Sequence, residues 1–190
     1  FPNGVPEVSA VIKGKKVYDP RTSTTAWSDN PALCVRDYLT ATGYGLGEAA
    51  ANINDTAFTT AANICDETST DAGTTRYTAN GAFTTGTTPQ DLLEGLITSM
   101  GATLWYTQGA WNVKAAKWTA PVLDLNEDDL RSGISLSTRH SRRDNFNTVN
   151  GTFRGDESNW QVTDFPPVTN DAFVTADGGL ESTLDMDLPF

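Results

Sequence analysis

Thr88-Pro89-Gln90-Asp91-Leu92-Leu93-Glu94-Gly95-Leu96-Ile97-Thr98-Ser99-Met100-Gly101 carries every signal of an amphipathic helix in one run. Thr88 offers a capping hydroxyl, and Pro89 suits the first helical position, where the missing N–H had no partner anyway. Leu92, Leu93, Leu96, Ile97 and Met100 recur at helical spacing, and Gly101 can end the run. Just downstream, residues 103 to 107 and 110 to 115 flank Gln108-Gly109, a two-residue connection of the kind that closes a β-hairpin. Upstream, residues 76 to 85 read as extended. Residues 76–118 are therefore expected to form a small α/β unit of strand, helix and hairpin.

Working outward, Asn54-Asp55 announces a second helix, because Phe58, Ala61, Ala62 and Cys65 fall at i, i+3, i+4 and i+7. A third is announced by Ser28-Asp29-Asn30-Pro31 and runs to about Thr40, with Cys34, Val35, Tyr38 and Leu39 on one face and Gly43 at the expected left-handed end. Before it, Val8, Ala10 and Ile12 alternate, Lys13-Gly14 supplies a turn, and residues 15 to 18 resume an extended pattern, so a hairpin is expected there. Beyond Pro121 the chain alternates again, at Ile134 with Leu136, through residues 148 to 153, and at Leu184, Met186 and Leu188. The fold class is α+β, with more strand than helix. Residues 1–75 and 119–190 are expected to form a discontinuous β-rich body with two helices, carrying 76–118 as an insertion. A chain that opens on Phe1 without an initiator Met reads as a piece of something longer.

A formal charge of -11 disfavours direct nucleic-acid binding, since the field of the whole molecule repels phosphate. No apolar run approaches the roughly 18 residues of a membrane span. Cys34 and Cys65 lie in apolar helical stripes, where a thiol acts as a small buried hydrophobe; two cysteines are too few for a disulfide scaffold.

The residues that chemistry would need are sparse. His140 is the single histidine and sits in Arg139-His140-Ser141-Arg142-Arg143-Asp144, with no nucleophile elbow to accompany it. Gly43-Tyr44-Gly45-Leu46-Gly47 invites comparison with a dinucleotide loop, but Glu48 stands where the third glycine belongs. Asp124, Asn126 and Asp128 have calcium-loop spacing, yet Asp129 replaces the glycine and Ser135 the bidentate glutamate; the competing reading is an acidic first helical turn. Zinc would find only two cysteines and one histidine. Arg154-Gly155-Asp156 is an adhesion-like tripeptide or simply a turn after a strand. Trp27, Trp105, Trp111, Trp118 and Trp160 could stack on sugars, although Trp105 and Trp111 read as an ordinary cross-strand pair. No catalytic, cofactor-binding or metal residue is assigned, no cofactor is expected, and the chain reads as not an enzyme.

Lys13-Gly14-Lys15-Lys16-Val17-Tyr18-Asp19-Pro20-Arg21, followed by Thr25-Ala26-Trp27-Ser28-Asp29-Asn30-Pro31-Ala32-Leu33-Cys34-Val35-Arg36-Asp37-Tyr38-Leu39, closely resembles the tip attachment proteins of lambda-like long-tailed bacteriophages. Tyr44-Gly45-Leu46-Gly47, the Cys65-Asp66-Glu67 ending, Arg143-Asp144-Asn145-Phe146-Asn147 and Asp187-Leu188-Pro189-Phe190 keep that order, while residues 154 to 180 add little. The resemblance implies an internal portion of the central hub that closes the tail tube, linking tube and tape measure to receptor-binding parts. It further implies a virion protein assembled in the bacterial host cytoplasm, trimeric in the intact hub. Alone, a segment with this charge is expected to be monomeric or weakly associated. The alternative from another class is a virion carbohydrate-binding module that uses the tryptophans against the host surface.

Overall fold

The computed structural model describes residues 10–69, 73–133, 135, 141 and 144–188. The chain is α+β and forms two compact units, one of Phe1–Ala79 with Phe83–Ala115 and one of Asn80–Ala82 with Ala116–Phe190. This division differs from the expected one: the helix and hairpin downstream of residue 83 are grouped with the N-terminal helices, and residues 119–190 are grouped separately from residues 1–75. Helix makes up 28% and strand 23% of the described residues, a mixed α+β composition.

In the first unit, β1 (Lys16–Asp19) pairs antiparallel with β2 (Thr24–Trp27). The expected hairpin about Lys13-Gly14 does not form: residues 10 to 15 carry no strand, and Val8 lies outside the described residues. The turn instead falls at Pro20–Ser23, because the Asp19 carboxylate accepts the Arg21 amide at 2.9 Å and Ser23 takes a left-handed φ of 55°. Arg21 also grips Asp19 through its guanidinium and reaches Asp66 at 2.7 Å, clamping the turn to the end of α2 (Asp55–Cys65).

The central element is α1 (Pro31–Thr40), buried on nearly all sides and packed on β1, α2 and α3 (Pro89–Thr98). Asn30 caps it, accepting from the amides of Ala32 and Leu33, while its own amide group donates to the Ala62 carbonyl at 2.9 Å. One side chain thus starts one helix and ties it to another. Arg36, buried within α1, is neutralised by both oxygens of Asp55 at 2.7 and 3.1 Å. Phe58, Ala61, Ala62 and Cys65 are all buried on α2, as their spacing requires.

Thr88 caps α3 by accepting the Asp91 amide, and Gly101 takes a φ of 55° just past its end. Leu92, Leu96 and Met100 are buried; Leu93 and Ile97, counted in the same stripe, are only half-buried. The reason is the partner. α3 lies against α1, not principally on the hairpin of β3 (Thr103–Thr107) and β4 (Ala110–Lys114), and β4 packs on α2. Asn54, the cap of α2, donates its backbone amide to the Trp111 carbonyl and its side-chain amide to Asn112. Residues 76 to 85 form no strand, because the amides of Arg76, Tyr77 and Ala79 go to the carbonyls of Glu67, Cys65 and Asp29 at helix ends.

The second unit is a sheet centred on β5 (Thr148–Arg154). β6 (Val162–Asp164) and β7 (Val168–Thr169) pair antiparallel with its two halves, and their register slips by one residue across Phe165-Pro166-Pro167. They are one strand with a bulge where two prolines cannot donate to the ladder. A short helix, α4 (Asp171–Ala176), then leads to β8 (Thr183–Asp187), which pairs parallel with β5. Asn147 is buried at the entry to β5, donating to Asp177 and the Leu180 carbonyl and accepting the Ser182 amide. Ile134 and Leu136 lie outside the described residues.

A Cβ at Gly151 would strike the Met186 carbonyl of β8. Gly151→Ala is therefore expected to push β8 from β5 and to destabilise this unit by about 1–3 kcal/mol. Backbone amides of β8 should exchange hydrogen faster in the variant while α1 and α2 keep their protection; unchanged β8 exchange would show that the strands have room.

Candidate functional site

The chemistry-bearing groups that the fold does bring together lie beside α1. Leaving the helix, the chain turns back over its end: the amides of Leu46, Gly47 and Glu48 donate to the carbonyls of Tyr38, Ala41 and Leu39 at 2.8–3.0 Å. These carbonyls are the orphans of the helix C-terminus. In the glycine-rich run the amides of Leu46 and Gly47 are thus spent on capping α1. The left-handed residue is Gly47, with a φ of 69°, while the cap position Ala41 is extended and Gly43 has no positive φ. Gly45 is required for another reason, since a Cβ there would collide with the Tyr38 carbonyl.

This close return sets Tyr44 beside α1. Its phenol donates to Asp37 and accepts from Lys15, whose ammonium also lies 3.5 Å from Asp37. Burial, followed by the hydrogen bond to Asp37, raises the Tyr44 phenol above its ordinary value. For Lys15 burial pulls downward, but the Tyr44 hydrogen bond and the Asp37 charge outweigh it and raise the ammonium. The trio therefore holds a charged lysine and a neutral phenol, an arrangement that positions groups and supplies no base from Tyr44. Beside it opens a cavity of about 260 Å³, walled by Tyr38, Tyr44 and Phe83 and by Thr84, Thr85 and Thr87.

The residues singled out in the sequence are scattered. Cys34 and Cys65 are free; Cys65 is buried with its sulfur 3.8 Å from that of Met100. Burial pushes the Cys34 thiol up to about 12 and the Cys65 thiol up to about 11, so neither is a thiolate at neutral pH. Asn126 caps a short 3₁₀ turn, Glu127–Asp129, and Asp129 returns a bond to the Asn126 amide at 3.0 Å. That is the acidic-turn reading, and among the described residues no group of three or more His, Cys, Asp or Glu side chains converges on a metal position. Arg154 ends β5 and Gly155-Asp156 enters the turn to β6. His140 lies outside the described residues. No helix among the described residues is long and apolar enough to cross a membrane.

The tryptophans do not pair as expected. The hairpin register sets Trp105 opposite Asn112 and Trp111 opposite Tyr106, whose ring centroid is 5.4 Å from that of Trp111. Since neighbours along a strand face opposite ways, Trp105 and Trp111 lie on opposite faces. Trp118 is 84% exposed, and Trp160 is half-buried.

Sequence reading missed the Lys15–Asp37–Tyr44 trio and the aromatic cavity. The spacing of Asp37 and Tyr44 across a helix end carried a signal, because a seven-residue return over a capped terminus brings such positions close; Phe83 lies too far along the chain to have been placed. No protein-family model matches the chain, and no curated protein matches it.

Proposed function

We propose that the chain is a structural segment of a bacteriophage or prophage tail tip, an internal portion of the hub that closes the tail tube and connects to receptor-binding parts, and that it is not an enzyme. The resemblance carried by residues 13 to 39 supports the setting. Those residues form β1, β2 and most of α1, the framework on which the first unit is built.

The geometric observation behind the reading is the second unit's open sheet. Its register gathers Val149, Phe153, Leu184, Met186 and Val168 on one face, and Thr148, Asn150, Thr152, Asp185 and Asp187 on the other. A sheet with one apolar face is stable when a second layer covers it. Yet among the described residues this unit buries only Asn147 and Thr148, both polar, while on the apolar face Val168 remains 64% exposed and Met186 43%. Such a unit suits a part completed by neighbours in an assembly. Tube, tape-measure and tip proteins are the proposed partners, with a trimer in the intact hub, and the charge of -11 on each copy opposes tight association of the isolated chain.

Gold-labelled antibodies raised against the chain test the proposal on virions from the bacterium that encodes it. Decoration at the tail end distal to the head is expected. Label confined to heads, or virions free of the chain by mass spectrometry, would overturn it.

A further inference from the structure

The cavity beside α1 has a lining that the tail-hub reading does not call for. Phe83 is 41% exposed although it packs edge-on to Tyr38, with ring centroids 5.9 Å apart. Tyr44 stands tilted at 49° to Phe83, with centroids 6.3 Å apart, so the two rings form an angled wall. The threonines of the loop that leads into α3 belong to the same lining. Thr88 spends its hydroxyl on capping that helix, whereas Thr84, Thr85 and Thr87 line the cavity.

A lining that combines aromatic rings with threonines suits a pyranose, which presents both apolar and hydroxyl surface. The axial C–H groups of a sugar make a flat apolar patch that packs on an aromatic face, and its hydroxyls exchange hydrogen bonds with side-chain hydroxyls at the rim. The volume of about 260 Å³ is below the roughly 300–1,000 Å³ of pockets that enclose drug-sized ligands, so it admits one ring and not a buried oligosaccharide. Charge narrows the class further. Among the described residues no Lys or Arg lines the cavity, and the ammonium of Lys15, bonded to the Tyr44 phenol, is already matched by Asp37, which disfavours an acidic sugar. The same two bonds fix the Tyr44 ring before any ligand arrives, which removes an ordering cost from binding.

We propose that the cavity formed by Tyr38, Tyr44, Phe83, Thr84, Thr85 and Thr87 is a binding site for a single neutral pyranose, such as the terminal residue of a cell-surface glycan. The proposal goes beyond the tail-tip reading and does not depend on it. It also relocates sugar recognition from the tryptophans to a tyrosine and phenylalanine pair.

Saturation-transfer NMR on the 190-residue chain tests it with methyl glucopyranoside, methyl galactopyranoside, methyl N-acetylglucosaminide and glucuronate as probes. At least one neutral pyranoside is expected to bind with a Kd on the order of 1–10 mM, and glucuronate at least about tenfold more weakly. Phe83→Ala should weaken binding at least about tenfold with the far-UV circular dichroism retained and only a modest fall in the thermal transition from the lost Tyr38 contact, and Thr85→Val about threefold, each consistent with loss of one contact. Trp105→Ala, on the hairpin, should bind as the parent does. No transfer to any neutral pyranoside, transfer indifferent to both Phe83→Ala and Thr85→Val, or tighter binding of glucuronate would each overturn the proposal.

Discussion

Leu96→Asp is expected to unfold the first unit at ordinary temperatures, with a loss of about 3–5 kcal/mol, because it buries an unpaired carboxylate where α3 meets α1. Leu96 is 8% exposed and belongs to the face of α3 that also buries Leu92 and Met100. Leu93→Asp supplies the contrast, since Leu93 is only half-buried and its new charge can reach water. Its cost should be smaller, about 1–2 kcal/mol. Chemical denaturation of the two variants followed by far-UV circular dichroism measures the difference. Equal losses would mean that α3 buries its whole apolar stripe, as the sequence pattern alone suggested, and that its face toward α1 is misassigned.

Phe58→Ala should cost a comparable amount, about 3–5 kcal/mol, through lost transfer energy and the cavity left behind. Phe58 is fully buried on α2, the helix that packs against both α1 and β4, so neither layer can close over the gap without moving the other. The loss should be confined to the first unit. The second unit buries no apolar side chain among the described residues, and Phe58 belongs to the first unit. Earlier melting of the α-helical circular-dichroism signal in Phe58→Ala, with amide exchange of β5 and β8 as in the parent, is the expected result. A variant that melts with the parent would show that the core closes around the smaller side chain.

Three helices, the second hairpin and the last strand were legible because each is encoded locally. Asn30, Asn54 and Thr88 accept backbone amides within three residues, and the apolar spacing on α2 is recovered residue for residue in the buried set. The first hairpin was misplaced because two turn signals competed. Lys13-Gly14 looked adequate, but Asp19 hydrogen-bonds its own turn and is held by Arg21, whose remaining partners, Asn63 and Asp66, are more than forty residues away. A local reading has no access to that second set of contacts. The one-residue error at Trp105 and Trp111 has a different origin: a two-residue connection at Gln108-Gly109 already pairs Thr107 with Ala110, which sets Tyr106 and not Trp105 opposite Trp111.

The sequence by itself determined the fold class, the N-terminal caps of three helices, the apolar face of α2 and the net charge of -11, all of which follow from short-range spacing or from simple sums of residues. The tertiary structure decided which units those elements join. It placed α3 on α1 and β4 on α2, divided the chain near residue 115, and left the β5 sheet with an apolar face open. It also brought Lys15, Asp37 and Tyr44 together beside Phe83. The physical reason is that a periodic pattern states that a face must be covered but is silent about what covers it, because burial is non-directional and any apolar partner of suitable shape can satisfy it.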